Sequence, residues 1–179
     1  LLLATLFAPA IAGWFGISDI TLIQVLLPIH ILWINLVTDT FPALALAFDP
    51  ANRDIMNRKP IKKNEGIFTK GRTFRIIYQG VMIGLLTLAG FIIGLATPEQ
   101  DLPVIEGLSK EEIRVEIGQT MAFVTLAFSE LVHVFNIRNN KKSVFKTKVF
   151  NNKTLLLAIG VSAVLMLVIL FVPALRHIF

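Results

Sequence analysis

The sequence contains no cysteine, which excludes a disulfide framework and a thiolate metal site. Charge is scarce, since 16% of residues are Asp, Glu, Lys or Arg where a soluble domain carries about 25%. No Gly-rich phosphate loop, zinc-ligand spacing or nucleophile triad is present, so nothing here hydrolyses a nucleotide unaided. No basic segment and small-residue cleavage pattern frame the first apolar run, so the N-terminus does not read as a signal peptide. The chain opens without Met, in the middle of a hydrophobic run, and both ends read as cuts in a longer chain.

What the sequence has in excess is apolar residues. They make up 55% of the 179 residues, and the mean hydropathy is +0.73. They also arrive in runs too long for a soluble domain. Leu155 to Leu175 contains no charged residue and as a helix would reach about 30 Å, the thickness of a hydrocarbon core. Ile76 to Ala96 is a second uncharged run. The class expected is an all-α integral-membrane bundle of about five spanning helices, at about residues 1–15, 22–48, 74–96, 117–137 and 154–175. The first of these is short for a crossing.

The net charge is +5, but its distribution points away from nucleic acid. Arg53, Arg58, Lys59, Lys62, Lys63, Lys70, Arg72 and Arg75 lie in or beside the loop at about 49–73, and Arg138, Lys141, Lys142, Lys146, Lys148 and Lys153 in the loop at about 138–153. Together they hold most of the 17 basic residues. The segment Thr97 to Glu116 is instead acidic, with Glu99, Asp101, Glu106, Glu111, Glu112 and Glu116. Loops therefore alternate in sign along the chain, as the positive-inside rule requires of spans in series, and the basic loops are expected to be cytoplasmic. Solvated loop faces alone do not explain the alternation. In the third span, Gly80/Gly84 and Gly90/Gly94 are small-xxx-small pairs, either close-packing faces or ordinary glycines of membrane helices.

The second span carries the chemistry. Asn35, Thr38 and Asp39 stand at i, i+3 and i+4, so one helical face presents an amide, a hydroxyl and a carboxylate. A carboxylate near mid-membrane costs about 2.5–3.5 kcal/mol on insertion scales and therefore needs a partner, a cavity or an ion. These are hard oxygen ligands suited to Ca²⁺, Na⁺ or protons. Pro42 removes a backbone donor and disfavours helix at Phe41, so the helix is expected to loosen just beyond Asp39. Irregular backbone at membrane depth commonly lines an ion cavity. The alternative is a structural aspartate bonded to a neighbouring helix. Glu130 in the fourth span is a second intramembrane carboxylate and favours an ion site. His133 reads as an interhelical histidine or a proton-relay member, and Asn136 as a cap. His30 and Gln24 are assigned to no site.

The run Ile34-Asn35-Leu36-Val37-Thr38-Asp39, followed by Phe41-Pro42-Ala43, Phe48-Asp49-Pro50, Asp54-Ile55-Met56 and Lys59-Pro60, resembles the sixth transmembrane helix and following cytoplasmic loop of P-type cation-transporting ATPases of the calcium-pump group. The resemblance extends over the whole chain, from the end of the fifth helix through the ninth. It implies the C-terminal membrane domain of a ten-helix pump, with ATP and Mg²⁺ bound only by cytoplasmic domains outside this segment. It implies two adjacent Ca²⁺ sites, with Asp39 bridging both, Asn35 serving one, and Thr38 with Glu130 serving the other. The remaining ligands would lie on the fourth helix and the earlier part of the fifth. Those helices, the phosphorylation domain, the bilayer and the transported cation are the implied partners, with a bacterial plasma membrane as the setting. Asp49, Asp54 and Arg58 resemble the loop that couples the phosphorylation domain to the membrane.

Two features depart from the animal reticulum pumps. Thr40 stands where those have Gly, which fits a bacterial branch. Ser143-Val144-Phe145 resembles sodium/potassium pumps, but those carry an aspartate at the position of Asn35, so Asn35 favours calcium. The alternatives are a pump for Na⁺, K⁺ or H⁺ and, in another class, a channel or secondary transporter built from these spans alone.

Overall fold

The computed structural model describes residues 2–49, 68–105, 107–138 and 152–176. Every regular element among them is helical and no strand occurs among the described residues. The greater parts of both basic loops, including Asp54 and Arg58, lie outside the described residues.

Helix α1 covers Leu2–Phe15. It stops at Gly16, whose φ of 66° is open to glycine at little cost. The Ile17 N–H then reaches back to the Ala12 carbonyl at 3.0 Å, closing the helix end in a Schellman-type turn. A single 3₁₀ turn, Ile20–Leu22, follows. Asp19 nucleates it by accepting from both the N–H and the hydroxyl of Thr21, at 2.8 and 2.6 Å. Those bonds hold the exposed Asp19 carboxyl below its ordinary range.

Helix α2, Pro28–Trp33, begins on a proline whose missing N–H is no loss in a first turn. It runs into a π-helical segment, Ile34–Asp39, and then into α3, Thr40–Ala47. The three together form one apolar stretch of 20 residues, Pro28–Ala47. Helix α4 is Lys70–Leu95, α5 is Lys110–Ile137, α6 is Lys153–Phe171 and α7 is the short Pro173–Arg176. The Pro28–Ala47 stretch, α4, α5 and α6 are long and apolar enough to cross a membrane. Helix α1, at 14 residues, rises about 21 Å and is shorter than a full crossing.

Two boundaries differ from the hydropathy reading, each for a local reason. Helix α5 starts at Lys110, well before residue 117, because Ser109 and Glu112 close a capping box: the Glu112 N–H donates to Ser109 Oγ at 3.2 Å and the Ser109 N–H to Glu112 Oε2 at 2.7 Å. Charged residues thus enter the first turns of a helix that hydropathy alone would trim. Helix α6 stops at Phe171 because the residue before Pro173 is pushed to extended backbone, with ψ of 115° at Val172. Asn136, read as a cap, lies inside α5 and is exposed, and the C-cap is Arg138.

Helices α4 and α5 pack antiparallel, and glycine decides how close they come. A Cβ on Gly94 would sit 2.5 Å from the Gly118 Cα, and one on Gly90 would sit 2.6 Å from the Thr125 hydroxyl. Gly90/Gly94 is therefore a true close-packing pair. Gly80 faces open space and has no such role among the described residues. The core of the bundle is apolar, centred on Phe91, Leu95, Ala122, Phe123 and Met166.

The bundle ends are tied by polar groups. At one end Arg138 Nε donates to both oxygens of Asp49 at 3.0 Å, and Arg138 Nη2 lies 2.8 Å from Oδ1. Asn152 joins this pair through Nδ2, to Asp49 Oδ1 at 3.1 Å and the Ala45 carbonyl at 3.2 Å, while its Oδ1 caps α6 at the Leu155 N–H. The termini of α3, α5 and α6 that border the basic loops thus converge. At the opposite end Glu111 accepts from the N–H and hydroxyl of Ser18 at 3.1 and 3.3 Å, and Gln119 Nε2 donates to the Gln24 carbonyl at 2.8 Å.

Large apolar side chains dominate the outward faces of the spans. Only 17% of the apolar window of α4 and 22% of that of α6 is buried inside the bundle, and Leu85, Ile93, Val164 and Phe171 point outward. Such surface is costly against water and neutral against hydrocarbon. The chain is a multi-pass integral-membrane protein.

Candidate cation site

The π-helical segment Ile34–Asp39 coincides with the polar motif of the second span. The expected irregularity is present but displaced: the helix loosens through the motif rather than beyond Asp39, and Phe41 is regular α3. The reason is the direction in which proline acts. The Pro42 ring crowds, and its missing N–H abandons, the carbonyls one turn toward the N-terminus. The disturbance therefore falls on residues before the proline. Short π segments accommodate an extra residue in a helical turn and are frequent at functional sites.

The segment sorts its polar side chains. Thr38 is buried at 2% exposure, with Val37 and Ile34 also inside, whereas Asn35 and Asp39 are exposed on the open side of the bundle. The three do not share a single face in the way regular i, i+3, i+4 spacing implies. The Thr40 hydroxyl donates to the Asn35 carbonyl five residues back at 2.9 Å, which matches the wider π winding. From α6 the Ser162 hydroxyl donates to the Val37 carbonyl at 3.0 Å.

Helix α5 packs against this segment and brings Glu130 to it. Glu130 is partly buried. Its Oε2 is fully covered, and no donor among the described residues reaches it. Asp39 stands on the π-helical segment and Glu130 on the helix packed against it. Two carboxyl groups, one with an unsatisfied buried oxygen, form an arrangement that a cation or protons would relieve. Among the described residues no three Asp, Glu, His or Cys side chains cluster as a metal site. The oxygen donors to hand are Asp39 and Glu130 with the amide of Asn35, and the hydroxyl of Thr38 lies on the buried side of the same turn.

Of the neighbouring polar residues, His30 is built into the packing. His30 is fully buried, accepts from the Leu27 N–H through Nδ1 at 3.2 Å and stacks on Phe123 with ring centroids 4.5 Å apart. His133 is half-buried on α5, one turn beyond Glu130. Sequence reasoning did not single out Ser162, Gln119 or Asn152. Each bonds across at least 95 residues of chain, and only Ser162 gave a signal, as a hydroxyl in an otherwise apolar span.

The fold is that of a helical membrane domain, with oxygen-bearing side chains on a disturbed helix and on the helix packed against it. The family described as "Cation transporting ATPase, C-terminus" matches residues 23–179, and the chain belongs to it. The chain is 41% identical over 177 residues to a Bacillus cereus protein named calcium-transporting ATPase 1, covering 98% of this chain and 19% of that protein. It is 38% identical over 154 residues to a Bacillus subtilis calcium-transporting ATPase, covering 86% of this chain and 16% of that protein. An Aspergillus fumigatus endoplasmic reticulum calcium ATPase is 30% identical over 175 residues, covering 87% and 18%. The chain spans about a fifth of the length of the curated relatives it matches.

Proposed function

We propose that the chain is the C-terminal membrane part of an ATP-driven Ca²⁺ pump, in which Asn35, Thr38, Asp39 and Glu130 supply part of the intramembrane ligand set. The observation that carries the reading is the buried Oε2 of Glu130, which no donor among the described residues reaches, on the helix packed against the π-helical turn that carries Asp39. A carboxyl pair at membrane depth is costly unless a cation or protons compensate it. Carboxylate, amide and hydroxyl oxygens match the preference of Ca²⁺ for six to eight hard ligands. Fewer than that are gathered here, so further ligands come from other helices of the full-length protein, and the nucleotide and phosphorylation chemistry with ATP and Mg²⁺ comes from its cytoplasmic domains. The printed names of the relatives, calcium-transporting ATPases from Bacillus, support Ca²⁺ as the cargo and a bacterial plasma membrane as the setting.

A disturbed turn suits a cation that tolerates irregular coordination. Ca²⁺ accepts irregular coordination at 2.3–2.6 Å, so ligands on one disturbed turn and one straight helix can converge on it. Movement of the second span relative to α5 would separate Asp39 from Glu130 and release the ion. The test is Asp39→Asn in the full-length protein, read as Ca²⁺-dependent phosphorylation by ATP. Loss of Ca²⁺ activation is expected, and undiminished activation would sink the assignment.

A further inference from the structure

The bond from Ser162 ties α6 to the π-helical turn. A carbonyl oxygen has two lone pairs and accepts a side-chain donor besides a backbone one. Val37 is buried at 7% exposure and Ser162 at 1%. The hydroxyl of Ser162 on α6 lies 3.0 Å from the Val37 carbonyl, inside a spanning segment where water does not compete for the bond.

Helical hydroxyls in this chain ordinarily do something else. Thr87, Thr120 and Thr125 each donate to the carbonyl four residues back in their own helix, at 2.9, 3.0 and 2.7 Å, the common local habit of Ser and Thr. Ser162 instead reaches a residue 125 positions away in sequence. Its target lies between Asn35 and Asp39 and next to Thr38, so the bond fixes the turn that presents all three.

We infer that Ser162 is a positioning residue for the cation site, holding the Ile34–Asp39 turn against α6 through its hydrogen bond to the Val37 carbonyl. This rests on the reading of Asn35, Thr38, Asp39 and Glu130 as cation ligands. The hydroxyl touches no ligand oxygen named above. It acts through the backbone of Val37.

The experiment uses the full-length protein, with Ca²⁺ as the probe and phosphorylation by ATP as the readout. Ser162→Ala is expected to raise the Ca²⁺ concentration for half-activation about fivefold, the size of one ordinary hydrogen bond, with the maximal level at saturating Ca²⁺ retained. Ser162→Thr, which keeps the hydroxyl, is expected to shift it less. A change in half-activation below about twofold in Ser162→Ala, with Asp39→Asn inactive, overturns the role of Ser162 and leaves the cation site standing. Full activity of Asp39→Asn overturns both. If Ser162→Ala does not fold, Ser162→Cys, which keeps only a weak donor, is read in its place. A rise in its half-activation concentration above about twofold supports the inference, and a smaller change overturns it.

Discussion

Gly94 of α4 and Gly118 of α5 meet backbone to backbone: a Cβ added at Gly94 would lie 2.5 Å from the Gly118 Cα and 2.7 Å from its nitrogen. Backbone cannot give way as a flexible side chain can. Gly94→Ala should therefore push the helices apart and destabilise the folded state by about 1–3 kcal/mol, the usual range for overpacking. Gly80→Ala, in the same helix but facing open space, should be neutral or slightly stabilising because alanine is the better helix former. Thermal unfolding of the two variants in detergent checks the contrast, and equal melting temperatures would show that the glycine contact does not set the α4–α5 distance.

Asp49, Arg138 and Asn152 join the ends of three spans that are far apart in sequence. The Arg138–Asp49 pair is only 11% and 24% exposed, so it is neither a freely solvated ion pair nor a fully buried one. Asp49→Ala should cost about 1–3 kcal/mol, between the surface and buried limits. Asn152→Ala removes the α6 cap and should cost about 1 kcal/mol from that loss alone. Because Asn152 also donates to Asp49, the two costs should not add. A double-mutant cycle on unfolding free energy measures the coupling, and strict additivity would mean that the cluster works as separate contacts.

How much of this was legible in advance depends on the range of the interaction. The spans follow from uninterrupted apolar runs, and Asp39 and Glu130 follow from the cost of a carboxylate in such a run. The Gly90/Gly94 pair was visible as a spacing, but so was Gly80/Gly84, and spacing does not say which face of α4 meets α5. Pro42 announced an irregular helix, yet its position was misjudged because the effect of a proline falls on the preceding turn. The inward turn of Thr38, away from Asn35 and Asp39, follows from that same irregularity and escapes any argument from ideal spacing. Ser162, Gln119 and Asn152 act on backbone carbonyls and a carboxylate of distant segments, and a carbonyl carries no residue-specific signal in sequence.

Outside the bundle, Glu99 is held by Lys110 at 2.7 Å, with Arg114 Nη2 farther away at 3.7 Å. The Lys110 hydrogen bond and charge, with a smaller effect from Arg114, keep the Glu99 carboxyl below the ordinary glutamate range. A carboxyl depressed in the folded state contributes stability above its unfolded value and loses that contribution as pH falls through its folded value. The wild type should therefore exceed Glu99→Gln slightly near neutral pH, and the difference should vanish under acid conditions. Because both side chains are largely exposed, added salt should shrink it as well. Melting temperatures of the two proteins across pH and ionic strength provide the check. A difference that grows toward acid would contradict the sign.

The same electrostatic reasoning gives opposite signs for Asp39 in the presence and absence of cation. Without Ca²⁺ a carboxylate in a spanning segment is costly, so Asp39→Asn should be as stable as the wild type or more so in a chelator. With Ca²⁺ bound, the wild type gains stability by mass action, about 2.7 kcal/mol at a hundredfold excess over the dissociation constant, and Asp39→Asn should lose most of that gain. Glu130→Gln should behave in the same way if its buried oxygen is a ligand. Melting temperatures of the full-length protein and both variants, with Ca²⁺ and with chelator, separate a binding carboxylate from a structural one. A structural Asp39 would make the variant less stable under both conditions and leave the Ca²⁺-dependent increment unchanged.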